Sequence, residues 1–253
     1  MDGTIYSGEI LFDGVNELFT YFVEKKIKFY FLTNNSSNTR QKYFEKFKRL
    51  GITHVRSDQI ITSGDITIAY LRKLGYNTVC LVGTKELENQ FLSAGFRLIN
   101  EKFQEVDCVV SGFDTSFNYA KGDIASYYIR NGAPFYATNE DLVCPVENNE
   151  FIPDCGAVTA FLEKASGYEA KFLGKPRKET FDYLLDYIGI NKKDMAIVGD
   201  RLYTDIATGF YNDFTSIAVL TGEFKLSDLE NSNITPTIIL KDINKLYQML
   251  RNS

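Results

Sequence analysis

Residues 195–209 read MAIVGDRLYTDIATG. Met195 to Val198 is an apolar, strand-like run, and Gly199-Asp200 follows at its carboxyl end. Open α/β sheets gather ligands just outside the carboxyl ends of their strands, so Asp200 stands where chemistry is expected. Similar runs recur on both sides: IKFYFLT (Ile27 to Thr33), TVCLV (Thr78 to Val82), VDCVV (Val106 to Val110), PFYAT (Pro134 to Thr138), TSIAVL (Thr215 to Leu220) and TIIL (Thr237 to Leu240). Between them lie amphipathic segments that predict helices near Val15 to Lys26, Thr39 to Leu50, Gly64 to Leu74, Lys85 to Ala94, Tyr119 to Asn131, Ala157 to Ala165, Lys178 to Ile188 and Asp205 to Asn212. Apolar runs alternating with amphipathic segments predict an α/β fold with a parallel sheet.

The composition narrows the function. A chain of 253 residues, 44% hydrophobic and 24% charged, buries roughly three quarters of its unfolded surface and builds a core without disulfides. Twenty-eight Lys and Arg against 33 Asp and Glu give a net charge of −5, with no basic block to attract nucleic acid or an anionic membrane. No apolar run approaches the length of a membrane span, and the first residues, MDGTIYSGEI, lack a basic start and an apolar signal core. Cys80, Cys108, Cys144 and Cys155 form no C-x-x-C pair and read as reduced core thiols, so a cytoplasmic protein is expected. His54 is the only histidine, which argues against Ser-His-Asp hydrolysis and multi-His metal sites. The chemistry must therefore run on carboxylates, lysine, hydroxyls and a hard cation.

Four polar stretches carry that chemistry: Asp2-Gly3-Thr4, Thr33-Asn34-Asn35-Ser36-Ser37, Gly174-Lys175-Pro176, and Gly199-Asp200 running to Asp205. Each alone reads as a turn, a capping hydroxyl or a solvated amine. As a set, they match the needs of phosphoryl transfer: groups to hold anionic oxygens, a fixed positive charge, a cation anchor and a proton donor. A hydroxyl and a main-chain N–H at Thr33 and Asn34 suit the oxygens, Lys175 the charge, and Asp200 the cation.

MDGTIYSGE, FLTNNSS, LGKP and VGDRLYTDIATG resemble the four motifs of the haloacid dehalogenase superfamily of phosphatases. FYATNEDLVCPVE and IPDCGAVTAFLEKASG are similar to the cap of its NagD-like, class IIA branch. The resemblance implies a Rossmann-like core from residues 1–75 and 170–253, an inserted α/β cap over residues 76–169, Mg²⁺ as cofactor and a small phosphorylated metabolite as substrate. It further implies Asp2 as general acid/base and main-chain carbonyl ligand, and Thr33 and Asn34 as phosphoryl binders. Lys175 would orient the nucleophile and steady the phosphate, Asp200 would ligate the metal, and Asp205 would hold the metal shell or Lys175. Asn139 and Asp141 resemble cap positions that choose substrates, or read as a polar cap turn. A homodimer through the cap is common among similar proteins.

The sequence departs from the family at one point. The first motif of the family is D-x-D-G-T, whose leading Asp attacks phosphorus; here Met1 holds the x position. The expectation is a nucleophile and a first core strand encoded upstream of Met1, with the chain as written inactive by the covalent route. A catalytically impaired, phosphometabolite-binding module is the alternative. A dinucleotide-binding dehydrogenase lacks its G-x-G-x-x-G, and a P-loop fails because Pro176 follows Gly174-Lys175.

Overall fold

The computed structural model describes residues 1–146 and 150–252. In chain order, its first strands are β1 (Tyr6–Ser7), β2 (Ile10–Leu11), β3 (Phe31–Thr33), β4 (Ile60–Thr62), β5 (Thr78–Val82), β6 (Arg97–Leu98) and β7 (Cys108–Ser111). They continue with β8 (Phe135–Ala137), β9 (Val143–Pro145), β10 (Phe151–Pro153), β11 (Lys171–Phe172), β12 (Ala196–Gly199), β13 (Thr215–Val219) and β14 (Ile238–Leu240). The helices are α1 (Val15–Glu24), α2 (Arg40–Arg49), α3 (Ser63–Lys73), α4 (Lys85–Ser93), α5 (Tyr119–Arg130), α6 (Cys155–Ser166), α7 (Lys178–Ile188), α8 (Ala207–Tyr211) and α9 (Ile243–Arg251). By packing, the chain forms two compact units: Met1–Leu32 with Arg40–Ile61 and Leu184–Ser253, and Thr33–Thr39 with Thr62–Tyr183. The expected α/β class with parallel sheets is what forms.

In the first unit, β12, β13 and β14 make a parallel sheet in that order, with Val198 opposite Ile217 and Ile217 opposite Ile238. β3 and β4 pair in a separate two-stranded sheet. The apolar residues of α1 recur at Val15, Leu18, Phe19 and Phe22, the spacing of one helical face, and that face packs on Phe29 and Phe31. Phe31 in turn lies 4.7 Å from Phe47 of α2, ring centre to ring centre. Helix α9 closes this cluster with Ile243 and Leu246, its first turn capped by the Asp242 carboxylate.

The second unit is a five-stranded, all-parallel sheet ordered β11-β8-β7-β5-β6. Alternation along β5 and β7 divides their side chains between two faces. Cys80, Val82 and Val109 pack with Ala125 and Ile129 of α5 and Leu162 of α6. Val79, Cys108 and Val110 pack with Leu71 of α3 and Phe91 of α4. A sheet covered on both faces explains why these strands read as continuous apolar runs. Helix α3 begins with reciprocal capping, Thr62 Oγ1 accepting from the Asp65 N–H while the Asp65 carboxylate accepts from the Thr62 N–H.

Two predicted elements differ from those observed. Ile27 to Thr33 is a strand only over Phe31–Thr33; the Ile27 N–H instead bonds the Phe22 carbonyl, with Lys26 at φ 55°, so the chain is still leaving α1. Asp205 does not open an α-helix but lies inside a wide π-type turn, Leu202–Ile206, that leads into α8.

Candidate active site

The residues singled out from the sequence fall into two groups. Asp2, Asp200 and Asp205 belong to the first unit, and Thr33, Asn34, Asn139, Asp141 and Lys175 to the second.

Strand β12 delivers Asp200 into a closely fitted nest. Its side chain is buried, 4% exposed. The Thr4 hydroxyl donates to Asp200 Oδ1 at 2.7 Å, and the Glu223 N–H donates to Oδ2 at 3.2 Å. The Phe224 N–H donates to the Asp200 carbonyl at 2.8 Å. Gly3 and Gly222 flank the carboxylate so closely that a Cβ on either would lie 2.2 or 1.9 Å from Oδ2. Gly3 also has φ +74°, a conformation that glycine adopts without strain. The Asp2-Gly3-Thr4 turn is tied to the same place by the Thr221 hydroxyl, which donates to the Gly3 carbonyl at 2.6 Å. The Glu223 side chain is held in turn by Arg201 at 3.0 Å and by the Tyr203 hydroxyl at 3.1 Å. Asp2 is exposed and forms a single bridge to Tyr6. Asp205 is buried, and its Oδ2 accepts the Arg201 N–H at 3.3 Å, so it braces the loop that carries Asp200.

The second group is a buried amide network. The Asn34 side chain grips the Lys175 peptide on both edges: Oδ1 accepts the Lys175 N–H at 2.9 Å, and Nδ2 donates to the Lys175 carbonyl at 3.1 Å. The same Nδ2 donates to Asp141 Oδ2 at 3.1 Å. Both of its hydrogens are therefore engaged within the protein, leaving the main chain of Asn34 as its donor toward a ligand. Thr33 Oγ1 accepts the Asn35 N–H at 3.2 Å, which leaves its own hydrogen to donate. Asn139, wholly buried, donates to Asp141 Oδ2 at 3.1 Å and to Asp154 Oδ1 at 3.4 Å. The structure thus brings Asn34, Asn139, Asp141 and Lys175 into one network, with Asp141 accepting from both amides. Lys175 is 6% exposed.

Sequence reading missed Thr221, Gly222 and Glu223, which lie past the end of β13; Gly222 and Glu223 meet Asp200, and Thr221 meets Gly3, only through the fold. The dipeptide Thr-Gly directly after an apolar run was the available signal. It missed the side-chain role of Thr4 for the same reason.

The donors around Asp200 suit a hard divalent cation. Asp200 offers carboxylate oxygens, hard donors of the kind Mg²⁺ takes. Among the described residues, no three His, Cys, Asp or Glu side chains cluster as a metal cage.

Comparison with known proteins supplies the family. Residues 1–97 match the haloacid dehalogenase-like hydrolase family, and residues 172–246 match a second, HAD-hydrolase-like family. The chain is 34% identical to the acid sugar phosphatase of Staphylococcus epidermidis over 245 residues, 96% of this chain and 93% of that protein. Among solved structures, the 4-nitrophenylphosphatase of Thermotoga maritima superposes with a TM-score of 0.91 at 35% identity, covering 98% of this chain and 94% of its own. NagD from E. coli K-12 superposes with a TM-score of 0.88 at 29% identity, covering 97% and 95%. The glycerol phosphate phosphatase of Mycobacterium tuberculosis, solved in complex with magnesium, gives 0.88 at 27% identity, covering 98% and 74%. The chain belongs to the haloacid dehalogenase-like hydrolase family. Within it, the chain falls in the NagD-like, class IIA branch.

Proposed function

We propose that the protein is a Mg²⁺-dependent phosphatase of small phosphate monoesters, sugar phosphates or nucleotides. The names of its relatives support the phosphatase class, and the Asp200 nest is the observation that carries the reading. A carboxylate pinned by a hydroxyl and a main-chain N–H between two glycines is preorganised to receive a cation. Asp200 and the Asp2 carbonyl would hold Mg²⁺, which when bound neutralises phosphoryl oxygen charge, and Asp205 would keep the Asp200 loop in place. Thr33, through its hydroxyl, and Asn34, through its main chain, bind phosphoryl oxygens, while Lys175 supplies a fixed positive charge. As a nucleophile, an aspartate in the family's covalent route, bonds phosphorus and the ester P–O bond breaks, Asp2 gives its carboxyl proton to the leaving oxygen; it then takes a proton from the water that displaces phosphate from that nucleophile.

On this reading, residues 76–169 are the cap that selects small substrates and excludes bulk water. Asn139 and Asp141 shape its floor from within the buried network. The exposed apolar residues Leu142, Val143, Val146 and Phe151 on and beside the β9–β10 hairpin support a cap-mediated homodimer, which sedimentation at two concentrations tests. Among the described residues, no helix is long and apolar enough to cross a membrane.

The deciding assay measures phosphate release from p-nitrophenyl phosphate and a panel of sugar phosphates, with Mg²⁺ or with EDTA, by this chain and by a version that carries the leading Asp of D-x-D-G-T ahead of Met1. The version with the Asp turns over and requires Mg²⁺, and Asp200→Asn lowers its activity by about 10³-fold or more; equal activity in both would show that the covalent Asp is not the nucleophile. Metal-dependent binding of phosphorylated ligands with no turnover would replace the phosphatase reading with that of a binding module.

A further inference from the structure

The two oxygens of Asp200 are in unlike positions. Oδ2 takes the Glu223 N–H and is walled in by the Gly3 and Gly222 backbones. Oδ1 takes a single donor, the Thr4 hydroxyl at 2.7 Å. A carboxylate oxygen has two lone-pair directions, so the Thr4 bond occupies one and leaves the other. Thr4 is itself 4% exposed, and its N–H bonds the Met1 carbonyl at 3.2 Å, so its backbone is anchored and its hydroxyl has a defined place from which to donate. Without that donor, the carboxylate plane is set from the Oδ2 side alone and turns about its last torsion.

We propose that Thr4 is a positioning residue: its hydroxyl fixes the Asp200 carboxylate so that Oδ1 presents its second lone pair to a divalent cation. The inference rests on the reading of Asp200 as a cation ligand. It also assigns the two motifs complementary tasks, with the turn at Asp2-Gly3-Thr4 orienting the ligand that the loop after β12 supplies. Groups that orient a ligand from behind typically account for 10–100-fold in metal affinity.

Calorimetric titration of Mg²⁺ into the metal-stripped full chain, without substrate, tests this directly. Thr4→Val keeps the shape and removes the donor, and should weaken Mg²⁺ binding at least tenfold; Thr4→Ser restores the donor and should bind within threefold of the parent. Asp200→Asn should show no binding heat. Wild-type affinity in Thr4→Val, beside loss of binding in Asp200→Asn, would overturn the positioning role while leaving Asp200 as the ligand. Equal weakening in Thr4→Val and Thr4→Ser would show a packing role instead and overturn it as well. Parent-like affinity in Asp200→Asn would remove the underlying reading and this inference with it. Circular dichroism checks that each variant folds, and Thr4→Ala replaces Thr4→Val if the latter does not.

Discussion

Asp200 and Asn34 are both buried polar residues beside strand ends, 4% and 7% exposed, yet they are held in opposite ways. Asp200 receives few hydrogen bonds and is enclosed by glycine backbone, so its position is set by space as much as by donors. Asn34 also lies against a glycine, Gly174, but its carboxamide is held chiefly by bonds: Oδ1 accepts from the Lys175 N–H, and the two Nδ2 hydrogens go to the Lys175 carbonyl and to Asp141. The first arrangement leaves a charged group with coordinating capacity in reserve. The second uses up a neutral group to hold a neighbouring backbone. A ligand residue and a scaffold residue can thus look alike in sequence, both following an apolar run, and part company only in how their polar atoms are satisfied.

The contrast breaks most visibly at Asn34. Asn34→Leu keeps the branched outline of the side chain but removes the partner of the Lys175 N–H, that of the Lys175 carbonyl and one contact of Asp141. Leaving buried groups unpaired costs about 1–3 kcal/mol each, so the loss should reach about 4 kcal/mol in chemical denaturation. The cysteines localise the damage, because all four lie in the second unit. Burial pushes the Cys155 thiol up to about 11 and the Cys80 thiol up to about 12, and that of Cys108 higher still. At pH 8, a thiol reagent should label Cys144 alone in the parent and all four in Asn34→Leu.

Gly222→Ala sharpens the other side. The added methyl meets the Asp200 carboxylate, whose Oδ1 is held by Thr4 and whose Oδ2 is also flanked by Gly3. Overpacking of this kind costs about 1–3 kcal/mol. Mg²⁺ affinity should fall with it, while labelling of Cys80, Cys108 and Cys155 stays as slow as in the parent. Rapid labelling in this variant would show that the two units do not respond separately.

The fold was legible where periodicity and caps agree. The strand Thr78–Val82 and the helix Lys178–Ile188 were read at their observed bounds because apolar spacing, flanking polar residues and a following Gly all coincide. Short elements were not: Ile60–Thr62 and Lys171–Phe172 are too brief to show a period, and α9 was passed over despite Asp242 at its start and apolar residues at Ile243 and Leu246. At the site, the residues that bear charge could be found because charge beside a strand end is conspicuous. Thr4, Thr221 and Gly222 act by hydrogen bonding or by lacking a side chain, and only their neighbours reveal it. The two-sided hold of Asn34 on Lys175 spans 141 positions and has no local signature.

Two ion pairs, one in each unit, extend the contrast down to an effect near zero. Lys121 in the second unit donates to Asp114 Oδ2 at 2.6 Å, to the Gly83 carbonyl at 2.8 Å and to Ser116 Oγ at 2.8 Å, and the Asp114 side chain is fully buried. Lys121→Met leaves that carboxylate only its two Ser116 bonds at Oδ1 and removes its counter-charge, which should cost about 1–3 kcal/mol. Arg56 and Asp58 in the first unit are also well paired, at 3.0 Å, but their side chains are 70% and 58% exposed. The Arg56 hydrogen bond holds the Asp58 carboxyl below its ordinary value. In the acid range, folded Asp58 therefore binds fewer protons than unfolded Asp58, so whatever it contributes is present above its unfolded value and is lost as pH falls through the folded one. Solvent screens the pair throughout. Arg56→Met should thus move the Asp58 titration upward by NMR while leaving the melting temperature unchanged at neutral pH. A clear drop in melting temperature would mean that the outer surface of the first unit carries structural weight that its exposure does not suggest.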